Sequence, residues 1–117
     1  MKKVISSPLA PAAIGPYSQA TEAAGLVFVS GQLPIDAATG DMPEGIEAQA
    51  RQSLLNIQHI LEAAGLTMSH IVKTTVYLQD MSLFGRMNAV YATFFEGDYP
   101  ARAAFAVKAL PKDALVE

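Results

Sequence analysis

The sequence predicts one α+β domain spanning residues 1–117, and three observations carry that reading. Two stretches repeat apolar residues at the three-and-four spacing of an amphipathic helix. Several short runs are rich in β-branched and aromatic residues, as strands are. Their order is strand, hairpin, helix, strand, helix, strand, strand, which sets two helices against one mixed sheet.

The elements follow in chain order. Lys3 to Ser6 reads as a short strand. Pro8 to Pro16 is irregular, because proline fixes φ and removes a donor. Ser18 to Thr21 and Leu26 to Gln32 read as a hairpin turned at Gly25. Pro34 to Pro43 is a loop. Glu44 to Ala64 is the clearest helix: Ile46, Ala50, Leu54, Ile57, Leu61 and Ala64 form one stripe. Glu47, Arg51, Gln58 and Glu62 lie mostly off it, and Gly65 caps the helix in the left-handed conformation.

Ile71 to Leu78 is β-branched and reads as a strand. Asp80 or Ser82 then caps a second helix that runs to about Phe95. Phe84, Met87, Val90, Tyr91 and Phe94 would form its buried side. Ala103 to Val107 is a third strand candidate, and Ala114 to Glu117 begins a fourth. Ala103 to Val107 has no polar alternation, so both of its faces should be covered. Two helices cover one side only, and a second copy of the chain is the simplest cover for the other.

Composition narrows the functional classes. The chain is 51% hydrophobic and 16% charged, which is apolar for 117 residues and agrees with a face directed at another subunit. The net charge is −3, and the lysines and arginines are scattered, so no basic stripe for nucleic acid is advertised. There is no cysteine, which removes disulfides, thiolate metal sites and a cysteine nucleophile. The start, Met1-Lys2-Lys3-Val4-Ile5-Ser6, resembles a leader, but Pro8, Pro11 and Pro16 interrupt it before a long apolar run develops. No stretch is long enough to span a membrane. The expectation is a cytoplasmic protein without a membrane partner.

Known catalytic signatures are missing. There is no G-x-S-x-G elbow, Walker A loop or G-x-G-x-x-G turn. His59 and His70 have no second ligand at metal spacing and read as surface or turn residues. Arg102 stands where an apolar strand begins. It is either a surface charge or an anion receptor whose planar fork suits a carboxylate. Four other positions admit two readings each. Tyr17 follows the turn dipeptide Gly15-Pro16 and is a core aromatic or a placed hydroxyl. Ser30 and Gly31 end a strand, or let a ligand approach the backbone. Asn88 is an ordinary helix residue unless it faces a site. Glu117 is an outward carboxylate or a functional one.

Together these positions resemble the RidA/YjgF family. Ala10-Pro11-Ala12-Ala13-Ile14-Gly15-Pro16-Tyr17-Ser18-Gln19-Ala20 is similar to its N-terminal motif, and Val29-Ser30-Gly31-Gln32 to its second. Asn88-Ala89-Val90-Tyr91 with Phe94-Phe95 is similar to the third. Pro100-Ala101-Arg102, Leu110-Pro111-Lys112 and Val116-Glu117 are similar to the C-terminal signature. The match covers nearly the whole chain in order.

The resemblance implies a chorismate-mutase-like fold assembled as a homotrimer, with sites between subunits. It implies hydrolysis of 2-enamine and 2-imine acids, such as 2-iminobutanoate and 2-iminopropanoate, to 2-keto acids and ammonia, without metal or cofactor. Arg102 would pair with the substrate carboxylate. The backbone carbonyl of Ala104 would face the imine nitrogen or the water. Glu117 would orient that water and take its proton, while Tyr17, Ser30, the Gly31 N–H and Asn88 line the pocket. Two alternatives stay open: a non-catalytic metabolite-binding trimer, and an RNA-cleaving protein. Two departures stand out. Many members carry cysteine where Ala104 stands, and the family usually continues the last strand past the position of Glu117.

Overall fold

The computed structural model describes all residues, Met1–Glu117. Strands β1 (Lys3–Ile5), β2 (Ala20–Ala23) and β3 (Leu26–Val29) form an antiparallel sheet in that order. Helix α1 (Ile46–Ala63) follows. Strand β4 (Lys73–Leu78), helix α2 (Phe84–Ala92) and strand β5 (Ala101–Ala106) then form a crossover unit, with β4 and β5 parallel.

The β2–β3 turn is the two residues Ala24 and Gly25, both at positive φ (53° and 77°). That is the geometry that matches the twist of the flanking strands. It leaves β2 at Ala20–Ala23, two residues later than the expected Ser18–Thr21. Helix α1 starts after Gly45, whose φ of 89° is not helical. It ends on Gly65 as expected: Gly65 N donates to Glu62 O (3.0 Å) and Leu66 N to Leu61 O (2.9 Å).

Asp80 accepts from Ser82 N (2.8 Å) and caps a 3-10 turn, Met81–Leu83, that leads into α2. The α-helix stops at Ala92 rather than about Phe95. The Thr93 hydroxyl donates to Val90 O (2.6 Å), and the following N–H groups bond three residues back, so the chain reaches Phe95 as a tightened turn.

Strand β5 begins at Ala101, two residues before the expected start, so Arg102 lies inside the strand. The segment from Ala114 adds a single antiparallel bridge to β4, Leu78 to Val116. Around it, Tyr77 and Glu117 exchange both backbone hydrogen bonds (2.9 Å each). The one mixed sheet expected is therefore two hydrogen-bonded groups, and no backbone ladder joins β3 to the C-terminal segment.

The main core joins Ile46, Leu54 and Leu61 of α1, Val76 and Leu78 of β4, Met87 and Tyr91 of α2, and Val116. Each such aliphatic side chain contributes about 1.5–3 kcal/mol by leaving water. Ile5, Ala10, Ala20 and Ile60 form a smaller cluster, and Val27 and Val29 touch both.

The expected α1 stripe is present, but the helix also buries Gln49, Ser53 and Asn56. Gln49 and Asn56 are satisfied by loop backbone. Asn56 donates to Leu33 O (3.1 Å) and Ile35 O (2.9 Å), and Gln49 donates to Pro43 O (3.0 Å). Gln49 Oε1 also accepts from Leu115 N (2.8 Å), which fixes the segment that ends in Glu117.

Side-chain alternation defines two faces. Thr74, Val76 and Leu78 pair with Arg102, Ala104 and Ala106, and this face meets the helices. Thr75 and Tyr77 pair with Ala103 and Phe105 on the opposite face, where Phe105 is 46% exposed and packs edge-on against Tyr77. Val4 and Phe28 are likewise exposed, on the face of the antiparallel sheet opposite to Ile5, Ala20 and Val29. No helix of the chain covers the apolar face of Tyr77 and Phe105.

Candidate functional site

Arg102 is half-buried on the helix face of β5. Its guanidinium lies 4.7 Å from the ring centre of Tyr91 and 5.3 Å from that of Phe84. Its Nη1 donates to Asn88 Oδ1 (2.7 Å). Phe84, Asn88 and Tyr91 stand four and three residues apart on α2, so one helix face supplies all three contacts.

None of these partners is an anion. The single ion pair of the chain joins Arg86 to Glu47 at the surface (3.7 Å). Arg102 thus carries a charge that is stacked on rings, hydrogen-bonded to a neutral amide and left without a counter-ion. Such a guanidinium retains donors for a planar acid.

Ala104 presents its backbone differently. The N–H groups of Ala101 and Val107 donate to Val72 O (3.1 Å) and Leu78 O (2.9 Å) across β4. Alternate residues of a parallel strand turn N–H and C=O to opposite sides. The carbonyls of Arg102, Ala104 and Ala106 therefore point to the open edge of β5, where β5 has no strand neighbour.

A second cluster forms elsewhere. The Glu117 side chain packs against Gly31: a Cβ added there would lie 3.1 Å from Glu117 Cδ. Burial pushes the Glu117 carboxyl above the ordinary glutamate value. Ser30 Oγ donates to Ser18 O (2.7 Å), tying the end of β3 to the residue after Tyr17.

Tyr17 itself is 48% exposed and lines an open cleft of about 630 Å³ with Val4, Ser6, Pro8, Ala12 and Gln19. Gln19 holds this arch in place. Its Nε2 reaches the carbonyls of Ser7, Ala10 and Pro11 (3.2, 3.2 and 2.7 Å), and its Oε1 accepts from Ser7 N (2.6 Å).

The structure therefore brings Arg102 and Asn88 together, and brings Gly31 and Glu117 together, with the hydroxyl of the adjacent Ser30 turned to Ser18. It does not bring the two groups together within one chain. Glu117 pairs with Tyr77 and so shares its face, whereas Arg102 is on the helix face. The Arg102 contacts with Phe84 and Tyr91 were readable only as helix burial in the sequence, although their spacing around Asn88 was a signal. Gln49 and Asn56 gave no sequence signal, because glutamine and asparagine are ordinary surface residues, and Gln19 entered only as a member of the N-terminal motif.

His59 and His70 have local roles. His59 Nδ1 lies 3.2 Å from Leu9 O, and His70 Nδ1 accepts from Thr67 N (3.0 Å). No three His, Asp or Glu side chains converge as metal ligands, and no helix is long and apolar enough to cross a membrane.

The chain is thus an α+β domain that carries an arginine without a counter-ion on one sheet face and a partly buried carboxylate on the other. The chain belongs to the family whose model is described as Endoribonuclease L-PSP, which matches residues 7–117. It is 52% identical over 118 residues to a RutC family protein of Pyrococcus horikoshii, covering 100% of this chain and 94% of that one. It is 48% identical over 118 residues to the 2-iminobutanoate/2-iminopropanoate deaminase of Mus musculus, covering 100% of this chain and 87% of the relative. Among solved structures, the Rid family protein YyfA of Yersinia pestis superposes with a TM-score of 0.96 at 47% identity, over 99% of this chain and 94% of that one.

Proposed function

We propose that this chain is an imine deaminase that hydrolyses 2-imino acids, among them 2-iminobutanoate and 2-iminopropanoate, to 2-keto acids and ammonia. The observation that carries the reading is Arg102, a half-buried guanidinium with no anion in its own chain. Relatives named for this activity match over the full length of the chain.

The substrate carboxylate takes the free donors of Arg102 as a bidentate pair, which fixes the imine carbon relative to the strand. The Ala104 carbonyl on the open edge of β5 accepts from the imine N–H or the attacking water. Glu117 takes a proton as water adds to the C=N carbon. Glu117 returns that proton to the nitrogen, which gives a neutral carbinolamine. Its C–N bond then breaks as Glu117 carries the hydroxyl proton to the departing nitrogen, so ammonia leaves and C=O remains. Tyr17, Ser30, the Gly31 N–H and Asn88 line the pocket. A backbone carbonyl serves here without the thiol that many relatives carry at position 104.

Arg102 and Glu117 occupy opposite sheet faces, so one chain does not close this site around a small acid. A homotrimer resolves this, with Arg102 and Asn88 of one subunit meeting Gly31 and Glu117 of the next. The apolar face bearing Tyr77 and Phe105 and the exposed Val4 and Phe28 support that assembly, since they would otherwise meet water.

A coupled assay tests the activity. A threonine dehydratase generates 2-iminobutanoate in place, and 2-ketobutanoate release is followed with and without this protein. Acceleration that is lost in Arg102→Ala is expected. A folded protein that leaves the release rate unchanged would overturn the reading in favour of a binding module. Light scattering that gives a monomer mass would overturn the trimer.

A further inference from the structure

Arg102 does not hold its own position. Its only hydrogen-bonded side-chain partner is Asn88, and its flat face rests on Tyr91 and Phe84. All three belong to α2, so the guanidinium is aimed correctly only if α2 is fixed relative to β5. The hydroxyl of Tyr91 ties α2 to β4, the strand that pairs with β5. It lies 2.8 Å from Thr74 Oγ1 in a half-buried hydrogen bond. Thr74 is the register partner of Arg102 across the β4–β5 ladder. The contacts close a ring: Arg102 rests on Tyr91, Tyr91 bonds to Thr74, and Thr74 sits beside Arg102 in the sheet.

The same ring continues an aromatic run. Tyr91 packs on Phe95 (5.0 Å between centres) and Phe95 on Tyr99 (6.1 Å), which precedes the start of β5. One end of the run therefore supports the guanidinium, and the other supports the turn that delivers Arg102 into the strand.

We propose that Tyr91 and Thr74 are positioning residues for the carboxylate receptor. Tyr91 sets the height of the guanidinium through its ring, and the Tyr91–Thr74 hydrogen bond sets the lateral register between α2 and the β4–β5 ladder. Neither touches the reacting atoms. Loss of the bond lets α2 shift against the sheet and carry the guanidinium off the bidentate pose without emptying the core, because the ring of Tyr91 remains buried. The effect falls on capture of the acid and not on the chemical step. The proposal rests on the deaminase reading for its substrate, but its measurement does not depend on turnover.

Pyruvate, a 2-keto acid of the product class, is the probe. Its dissociation constant is measured by calorimetry on wild type, Tyr91→Phe, Thr74→Val, the double variant and Thr74→Ser. Alongside, kcat and KM are measured on 2-iminopropanoate. Tyr91→Phe and Thr74→Val should each weaken pyruvate and raise KM by about 5- to 10-fold, the worth of one lost hydrogen bond. Their kcat should stay within about twofold. The double variant should be no weaker than either single one, since both remove the same bond. Thr74→Ser keeps the hydroxyl and should bind as wild type does. Val90→Ala, a core change on the same helix, separates positioning from general loosening and should not move KM.

Tyr91→Phe binding pyruvate within about twofold of wild type would overturn the proposal, as would additive losses in the double variant. A wild type that binds pyruvate without deaminating would remove the deaminase reading and leave the comparison among variants intact. A wild type that binds no pyruvate would remove the receptor and the proposal with it.

Discussion

The Glu117 carboxylate lies against Gly31, in the space that the Cβ of any other residue at that position would take. Gly31 is not among the residues at positive φ, so alanine fits its backbone conformation. The strain of Gly31→Ala therefore falls on the carboxylate, which must move. The expected result is a kcat reduced by about 10-fold or more, because misplaced catalytic groups lose reaction geometry steeply. The melting temperature should stay within a few degrees. Steady-state kinetics and a thermal melt on the same preparation check this.

Arg102 is the carboxylate receptor of the proposed site, and its replacement should act on binding first. Arg102→Ala should lower kcat/KM by about 10²-fold, the worth of a charge-assisted bidentate contact. Arg102→Lys keeps the charge but loses the planar fork and the ring stacking, so it should recover only a small part of that loss. Steady-state kinetics on 2-iminopropanoate read both. A lysine variant equal to wild type would rule out the bidentate pose.

Glu117 should set the acid limb of activity. Burial raises its carboxyl above the ordinary glutamate value, and as a base it works only when ionised. Activity should therefore fall at a pH above that expected of a free glutamate. The stability effect has the opposite direction. The folded chain holds this proton more tightly than the unfolded chain, so the contribution is full below the unfolded value. It is lost as pH rises through the raised folded value. Glu117→Gln should remove the acid limb from the pH–rate profile and flatten this part of the stability profile. Pyruvate binding at Arg102 should be retained.

Asn56 is fully buried and holds the loop after Gly31 by bonds to Leu33 O and Ile35 O, while accepting from Gln52 Nε2 (2.9 Å). Asn56→Ala leaves both carbonyls without this partner and should cost about 2–3 kcal/mol. A urea titration should show a lower midpoint with an unchanged slope. Asn56→Asp should be worse, because a carboxylate cannot donate to either carbonyl.

Much of this protein is written in local sequence. The α1 stripe, the Gly65 cap and the hairpin at Gly25 follow from periodicity and from where glycine is needed. The four matching motifs led to the family directly, and Arg102 stood out because a cation at the start of an apolar strand requires a partner.

Other features depend on distance in space rather than in sequence. Nothing in the sequence pairs Gln49 with Leu115, Asn56 with Leu33, or Tyr91 with Thr74, since each bond joins residues far apart in the chain. The sequence named Arg102 and Glu117 as members of one site. Only the strand register revealed that they face opposite sides of the sheet. Side-chain direction in a strand alternates with every residue, so a strand boundary placed two residues off keeps the face, while the relative face of two strands is set by pairing alone. Local chemistry thus singled out the candidate residues, and the tertiary fold decided which of them one chain can bring together.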